Sequence, residues 1–205
     1  MSENSSVWNG LEIIKLVISI LTPVTIVFLG YIFNRMIRKL EQARWANQKV
    51  IEKRIVVFDK VAPKLNDLYC YFRYIGNWKE LSPVDIVAAK RMLDKEMHVY
   101  SPLFSPRLMK LYGQFMDLCF RVYSGVGKDA RLQTSINSPD GDRRAVFPGE
   151  WVDAWEDMFD DPGENASDIQ SERDAHQLRI DEAYHQLTKT FSRELGVGLD
   201  DEESQ

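Results

Sequence analysis

Residues 16–33, LVISILTPVTIVFLGYIF, form a run of 18 residues without a single charge. A helix of that length spans roughly 27 Å, close to the ~30 Å hydrocarbon core of a bilayer. A buried core helix is the competing use of such a run, but core helices of soluble proteins rarely stay uncharged for so long. Leu11, Ile13 and Ile14 extend the apolar character by a turn. Glu12 and Lys15 are placed to snorkel, and Trp8 and Tyr31 fall where interfacial aromatics are expected. Pro23 removes one backbone donor and predicts a slight bend, which membrane helices tolerate. The reading is a transmembrane helix over residues 11–34. A cleavable leader is not expected, because the residues before the run are not basic and no small-x-small site follows it.

Orientation follows from the basic residues. Lys15 alone precedes the run, whereas Arg35, Arg38, Lys39, Arg44, Lys49, Lys53 and Arg54 follow it. The positive-inside rule then places residues 35–205 in the cytoplasm of a cell with an inner (plasma) membrane. Residues 1–10 become a short extracytoplasmic tail. The net charge of −5 conceals a gradient: −1 over 1–34, +5 over 35–54, +4 over 55–138 and −13 over 139–205. Residues 35–54 read as a basic juxtamembrane helix. Arg35, Arg38, Lys39 and Arg44 are expected to touch anionic headgroups, each contributing about 1 kcal/mol near the surface. The acidic remainder argues against a nucleic-acid partner. The glycosylation patterns at Asn4 and Asn165 are read as unmodified, one for its closeness to the bilayer and the other for its side of it.

Beyond the span the pattern is helical, and the expected fold is all-α: a cytoplasmic bundle of about five helices over residues 55–195, then an acidic disordered tail at 196–205. A heptad-like seam runs Ile37, Arg44, Ile51, Phe58, Leu65, Phe72, with Leu40, Asn47, Arg54, Val61, Leu68, Ile75 beside it. Its first half is too polar for a stable coiled coil, and from Phe58 to Ile75 it must be covered. Pro63 predicts a kink or break near Val61–Ala62. Ser82-Pro83-Val84-Asp85 and Ser105-Pro106 each carry a cap serine followed by proline, predicting helices to about Tyr100 and Gly125. Ser138-Pro139-Asp140-Gly141 is a turn signal. A short helix is expected at about 149–160 and a long one at 168–194. No strand pattern competes. The expected core comprises Phe58, Leu65, Leu68, Phe72, Leu111, Phe115, Trp155, Ile180 and Leu187.

Motifs for chemistry are sparse. Gly125-Val126-Gly127-Lys128 lacks the phosphate-loop spacing, and Asp129 stands where Ser or Thr should be. Glu172/His176 and Asp181/His185 are i,i+4 pairs, but the two pairs face different directions and no shared metal is expected. Cys70 and Cys119 lie in apolar stretches and read as reduced core thiols. No catalytic residue, metal or cofactor is expected. The segment from Lys128 to Pro148 and the aromatic stretch after it form the expected recognition surface, with Arg143, Arg144, Phe147, Trp151 and Trp155 as partner-binding residues. The competing assignment puts those aromatics in the core.

The function expected from these features is a non-enzymatic, single-pass inner-membrane protein. It would present a cytoplasmic helical interaction module to an unidentified protein partner, with homo-oligomerisation open. One alternative is a membrane-acting effector of a bacterial stress or phage-defence system. That span, however, lacks GxxxG and any pore-lining charge. A membrane-tethered enzyme is the second alternative.

Overall fold

The computed structural model describes residues 10–121, 130–138, 141–163 and 168–197. The chain is 79% helical and falls into two compact units, Met1–Lys49 and Val50–Gln205. The all-α expectation is met.

A single helix, α1 (Gly10–Arg73, 64 residues), runs through both the expected span and the expected juxtamembrane helix. In the first unit its side chains from Ile14 to Phe33 are all exposed, and its most apolar window has a mean hydropathy of 2.3. It is long and apolar enough to cross a membrane. The serine and threonine hydroxyls in the run turn back onto the helix. Ser19 donates to the Leu16 carbonyl (3.1 Å), Thr22 to Ile18 (2.8 Å) and Thr25 to Leu21 (2.8 Å). These three side chains are thereby satisfied within the segment, the condition that an apolar solvent imposes.

The helix continues through Pro63, so the expected break there does not occur. Proline leaves the Asp59 carbonyl without its helical donor. Asp59 and Pro63 are both exposed, where water can meet that carbonyl. Burial of Val57, Val61, Leu65, Leu68 and Phe72 on the opposite stripe holds the helix together across it.

In the second unit that stripe packs with α2 (Pro83–Val99), α3 (Pro106–Cys119) and α5 (Ile169–Glu194). Ile86, Leu93 and Met97 face inward from α2, Leu108, Tyr112 and Phe115 from α3, and Ile180, Leu187 and Phe191 from α5. Both serine caps form as expected. Ser82 accepts from the Asp85 N–H (3.2 Å) while the Asp85 carboxylate accepts from the Ser82 N–H (3.0 Å), and Ser105 accepts from Leu108 (3.2 Å). Arg54, a polar position in the apolar seam, has a specific use. Its guanidinium donates to the carbonyls of Leu103 (2.6 Å) and Glu194 (2.9 Å). The Glu194 carboxylate accepts in turn from the Ser105 N–H (3.1 Å). One ion pair thus ties α1, the start of α3 and the end of α5 together.

Several expectations need correction. Two short antiparallel strand pairs are present: β1 (Phe120–Arg121) with β2 (Arg131–Leu132), and β3 (Asn137–Ser138) with β4 (Gly141–Asp142). Two residues per strand are too few to leave an alternating pattern in the sequence. The helix from Ser105 ends at Cys119, earlier than expected. The expected helix at 149–160 is a 3-10 stretch, Asp153–Met158, after an extended Val152. Pro148 and Gly149 just before it do not initiate an α-helix, and Phe147 occupies the space beside Gly149, where a Cβ would lie 2.7 Å from its ring. A four-residue helix, α4 (Arg143–Val146), was not anticipated. Trp155 is half-buried outside the core, Phe58 and Leu111 pack at its margin, and Ile75 is exposed beyond the end of α1. The Gly125–Lys128 motif, the sequons and the acidic residues 198–205 lie outside the described residues.

Candidate functional site

α1 ends in an unusual cap. The Ile75 N–H donates to the Cys70 carbonyl (3.1 Å), closing a Schellman turn around Tyr74, whose φ is +56°. Glycine is the usual occupant of that position, and a non-glycine residue pays about 1 kcal/mol or more there. Tyr74 remains because its ring and hydroxyl are both engaged. The ring stands edge-on to Trp78 (5.4 Å), and the hydroxyl shares a hydrogen bond with Thr134 Oγ1 (2.9 Å) and donates to the Ser135 carbonyl (3.3 Å).

Against this cap lies Arg143, at 2% exposure. Its guanidinium carbon is 4.1 Å from the ring centre of Tyr71, 4.4 Å from Tyr74, 5.2 Å from Trp78 and 5.9 Å from Phe159. It donates to the carbonyls of Ser135 (3.1 Å) and Tyr71 (3.1 Å) and to Thr134 Oγ1 (3.4 Å). Aromatic faces and carbonyls thus stand where a carboxylate would usually be. Burial pushes the Tyr71 hydroxyl up to about 12, opposed by the Arg143 charge.

Phe159 joins this box to a second aromatic group. Trp151 stacks on Phe159 (6.3 Å) and meets Trp155 (5.3 Å) and Phe147 (6.2 Å) edge-on, and Phe147 meets Trp155 (5.8 Å) likewise. All four are half-buried, with Val152 exposed between the tryptophans. Arg144 borders them. It donates to both Asp142 oxygens (2.9 and 2.8 Å) and to Glu156 (2.8 Å), clamping the hairpin to the 3-10 stretch and holding the Asp142 carboxyl below the usual range.

Four of the five expected partner-binding residues, Arg144, Phe147, Trp151 and Trp155, therefore meet on one surface. Arg143 does not. It lies inside, because the αL cap of α1 and the β3–β4 hairpin close over it. Nothing in the sequence separates it from its neighbour Arg144. Arg35, Arg38, Lys39 and Arg44 are exposed on α1.

On the other side of Tyr74 is a cleft of about 160 Å³, lined by Phe72, Tyr74, Gln133, Thr134, Ser135, Asn137, Asp174, His176, Gln177 and Ile180 among others. His176 is buried. Burial, then the Arg179 charge, holds its imidazole below the ordinary value, against the carbonyls of Leu118 and Gln133. Arg173 grips Asp161 at the rim. Burial works against ionisation of Asp161, but Arg173, the Gly163 N–H and Ser135 outweigh it and hold the carboxyl low. No local pattern in the sequence signals this cleft, since its lining comes from four separated segments.

The titratable groups are dispersed. Glu172 pairs with Arg179 (2.8 Å) rather than His176, whereas His185 Nδ1 meets its expected partner Asp181 at both the carbonyl (2.8 Å) and the carboxylate (3.7 Å). Among the described residues no three His, Cys, Asp or Glu side chains converge on a metal-sized site. Cys70 and Cys119 are free and buried, and burial raises both thiols, so they stay protonated at neutral pH. No family model matches the chain, and no curated protein or solved structure is detectably similar to it.

Proposed function

We propose that the chain is a single-pass inner-membrane protein that presents its helical unit in the cytoplasm as a non-enzymatic interaction module. The observation that carries this reading is the segment Ile14–Phe33, wholly exposed, uncharged from residue 16 onward, and with its serine and threonine hydroxyls satisfied by its own helix. Such a surface is suited to lipid and unsuited to water. The sevenfold excess of basic residues after the span supports the orientation.

The partner surface in this reading is the aromatic group Phe147–Trp151–Trp155 with Val152 and Arg144. Aromatic and arginine side chains with few degrees of freedom lost on docking are the usual anchors of protein interfaces. The partner is a protein at the inner face of the membrane, bound through an apolar contact rimmed by charge.

Site-specific photocrosslinking in cells tests this. A photoreactive residue at position 152 or 155 is expected to give one discrete protein adduct that disappears when the span is deleted. The same residue at position 110, exposed on α3, is expected to give none. Equal adducts at all three positions, or none at 152 and 155, would overturn the assignment.

A further inference from the structure

The apolar face of α1 does not end with the charge-free run. Ile26, Leu29, Phe33, Met36 and Leu40 are between 46% and 64% exposed and follow one another at alternating spacings of three and four residues. One heptad past Leu40, Asn47 holds the same position and is exposed too. At about 100° per residue, all six lie within an arc of about 80° on the helix. This is the a/d spacing of helices that pack along a shared seam. The seam that runs through Ile37 puts Arg44 at its centre. In the register that begins at Ile26, Arg44 and Lys39 move to the flanks instead.

Two further features bear on what covers this face. On the same side of the helix is a groove of about 240 Å³, lined by Ile18, Leu21, Thr22, Thr25 and Ile26. Its first four residues stand at i, i+3, i+4 and i+7, the four-residue hole that receives a side chain from a facing helix. Thr22 and Thr25 already donate to carbonyls of their own helix, so the groove demands no polar guest. The second feature is Asn47. A single asparagine at a central seam position fixes the register and number of helices by pairing with its own counterpart. That counterpart is the same residue of another copy, across a two-fold axis. Lipid is the other candidate cover for the face, and inside a bilayer it is as apolar as leucine. It serves neither Asn47 nor Leu40, which follows the charges of Arg35, Arg38 and Lys39. The exposed parts of the five apolar side chains come to roughly 100 Å² each, so two copies bring together about 1,000 Å², enough for a specific interface.

We propose that α1 pairs in parallel with α1 of a second copy along Ile26, Leu29, Phe33, Met36, Leu40 and Asn47. The parallel direction rests on the membrane reading, since copies anchored in one bilayer with a common orientation meet side by side. Lys39 and Arg44 flank the seam and repel their counterparts, an opposition that anionic headgroups offset. The pair is therefore tighter in an anionic bilayer than in detergent.

Single cysteines in the full chain, oxidised with copper phenanthroline in isolated membranes, test this. Cys70 and Cys119 are buried and stay in place. An in-register parallel pair brings like positions of the seam within disulfide reach. Disulfide-linked dimers are expected for Phe33→Cys, Met36→Cys, Leu40→Cys and Asn47→Cys, and few for Arg35→Cys and Gln42→Cys on the opposite face. Adding Leu40→Arg to Met36→Cys is expected to lower its yield several-fold. Equal or absent dimers at all six positions, or a maximum at 35 and 42, in carbonate-washed membranes that retain the chain would overturn the pairing and leave the membrane reading standing. Release of the chain by the carbonate wash would overturn the membrane reading, and the parallel pair with it.

Discussion

Tyr74 carries a local conflict that its surroundings resolve. Its αL backbone favours glycine, while its ring and hydroxyl are held by Trp78, Arg143 and Thr134. Removing the ring separates the two effects. Tyr74→Gly and Tyr74→Ala both lose the side-chain contacts, but only the glycine escapes the strain. The glycine variant should be the more stable of the two by about 1 kcal/mol, reversing the order found inside helices. Denaturant unfolding of both variants measures this, and an alanine variant at least as stable as the glycine one would refute the strain. His176 makes a pH-dependent contribution. Its folded value lies below the ordinary 6.5, so the unfolded chain takes up the proton first. Stability is full above that value and falls as pH drops from 6.5 through the lowered one. A thermal midpoint that declines in this window for the native chain, and declines less in His176→Gln, is the expected outcome. Identical profiles would remove His176 from the account. The carboxyls of Asp142 and Asp161, held below their ordinary 3.8, act only at lower pH.

Helices were legible in the sequence where apolar period and cap coincided. Ser82 and Ser105 start α2 and α3, and α5 begins within a residue of its expected start. Segments ordered by distant partners were not legible. The aromatic stretch 151–159 has a helical apolar spacing, yet Trp151 packs on Phe159 through an extended entry and a 3-10 stretch, because its neighbours are Arg143 and Phe147 rather than its own helix. The same cause hid Arg143. Adjacent arginines look alike in sequence, and only the closure of the hairpin over α1 buries one and leaves the other outside. Pro63 withholds the donor for the Asp59 carbonyl without breaking the helix, while a fully buried stripe runs past it. Pro63→Ala restores that hydrogen bond. It should stabilise the unit by about 2 kcal/mol, the helix-interior penalty of proline less its benefit in restricting the unfolded chain. Chemical denaturation of the full chain in detergent provides the comparison, and a destabilised variant would show that the helix depends on the proline.

At the scale of the whole molecule, two surfaces with opposite demands share one chain. The first unit offers apolar side chains and serine and threonine hydroxyls bonded to their own helix, while the second has its own closed core of α1, α2, α3 and α5. A core complete without residues 14–33 leaves that segment no folding task in the second unit. The membrane reading therefore rests on a surface that is otherwise unexplained. The side of the membrane is the claim on which the partner surface depends for its environment. Fusing alkaline phosphatase and, separately, a fluorescent protein that matures only in the cytoplasm after Gln205 addresses it most directly. A cytoplasmic second unit gives a membrane-bound fluorescent fusion and an inactive phosphatase. An active phosphatase with a dark fluorescent fusion would contradict it.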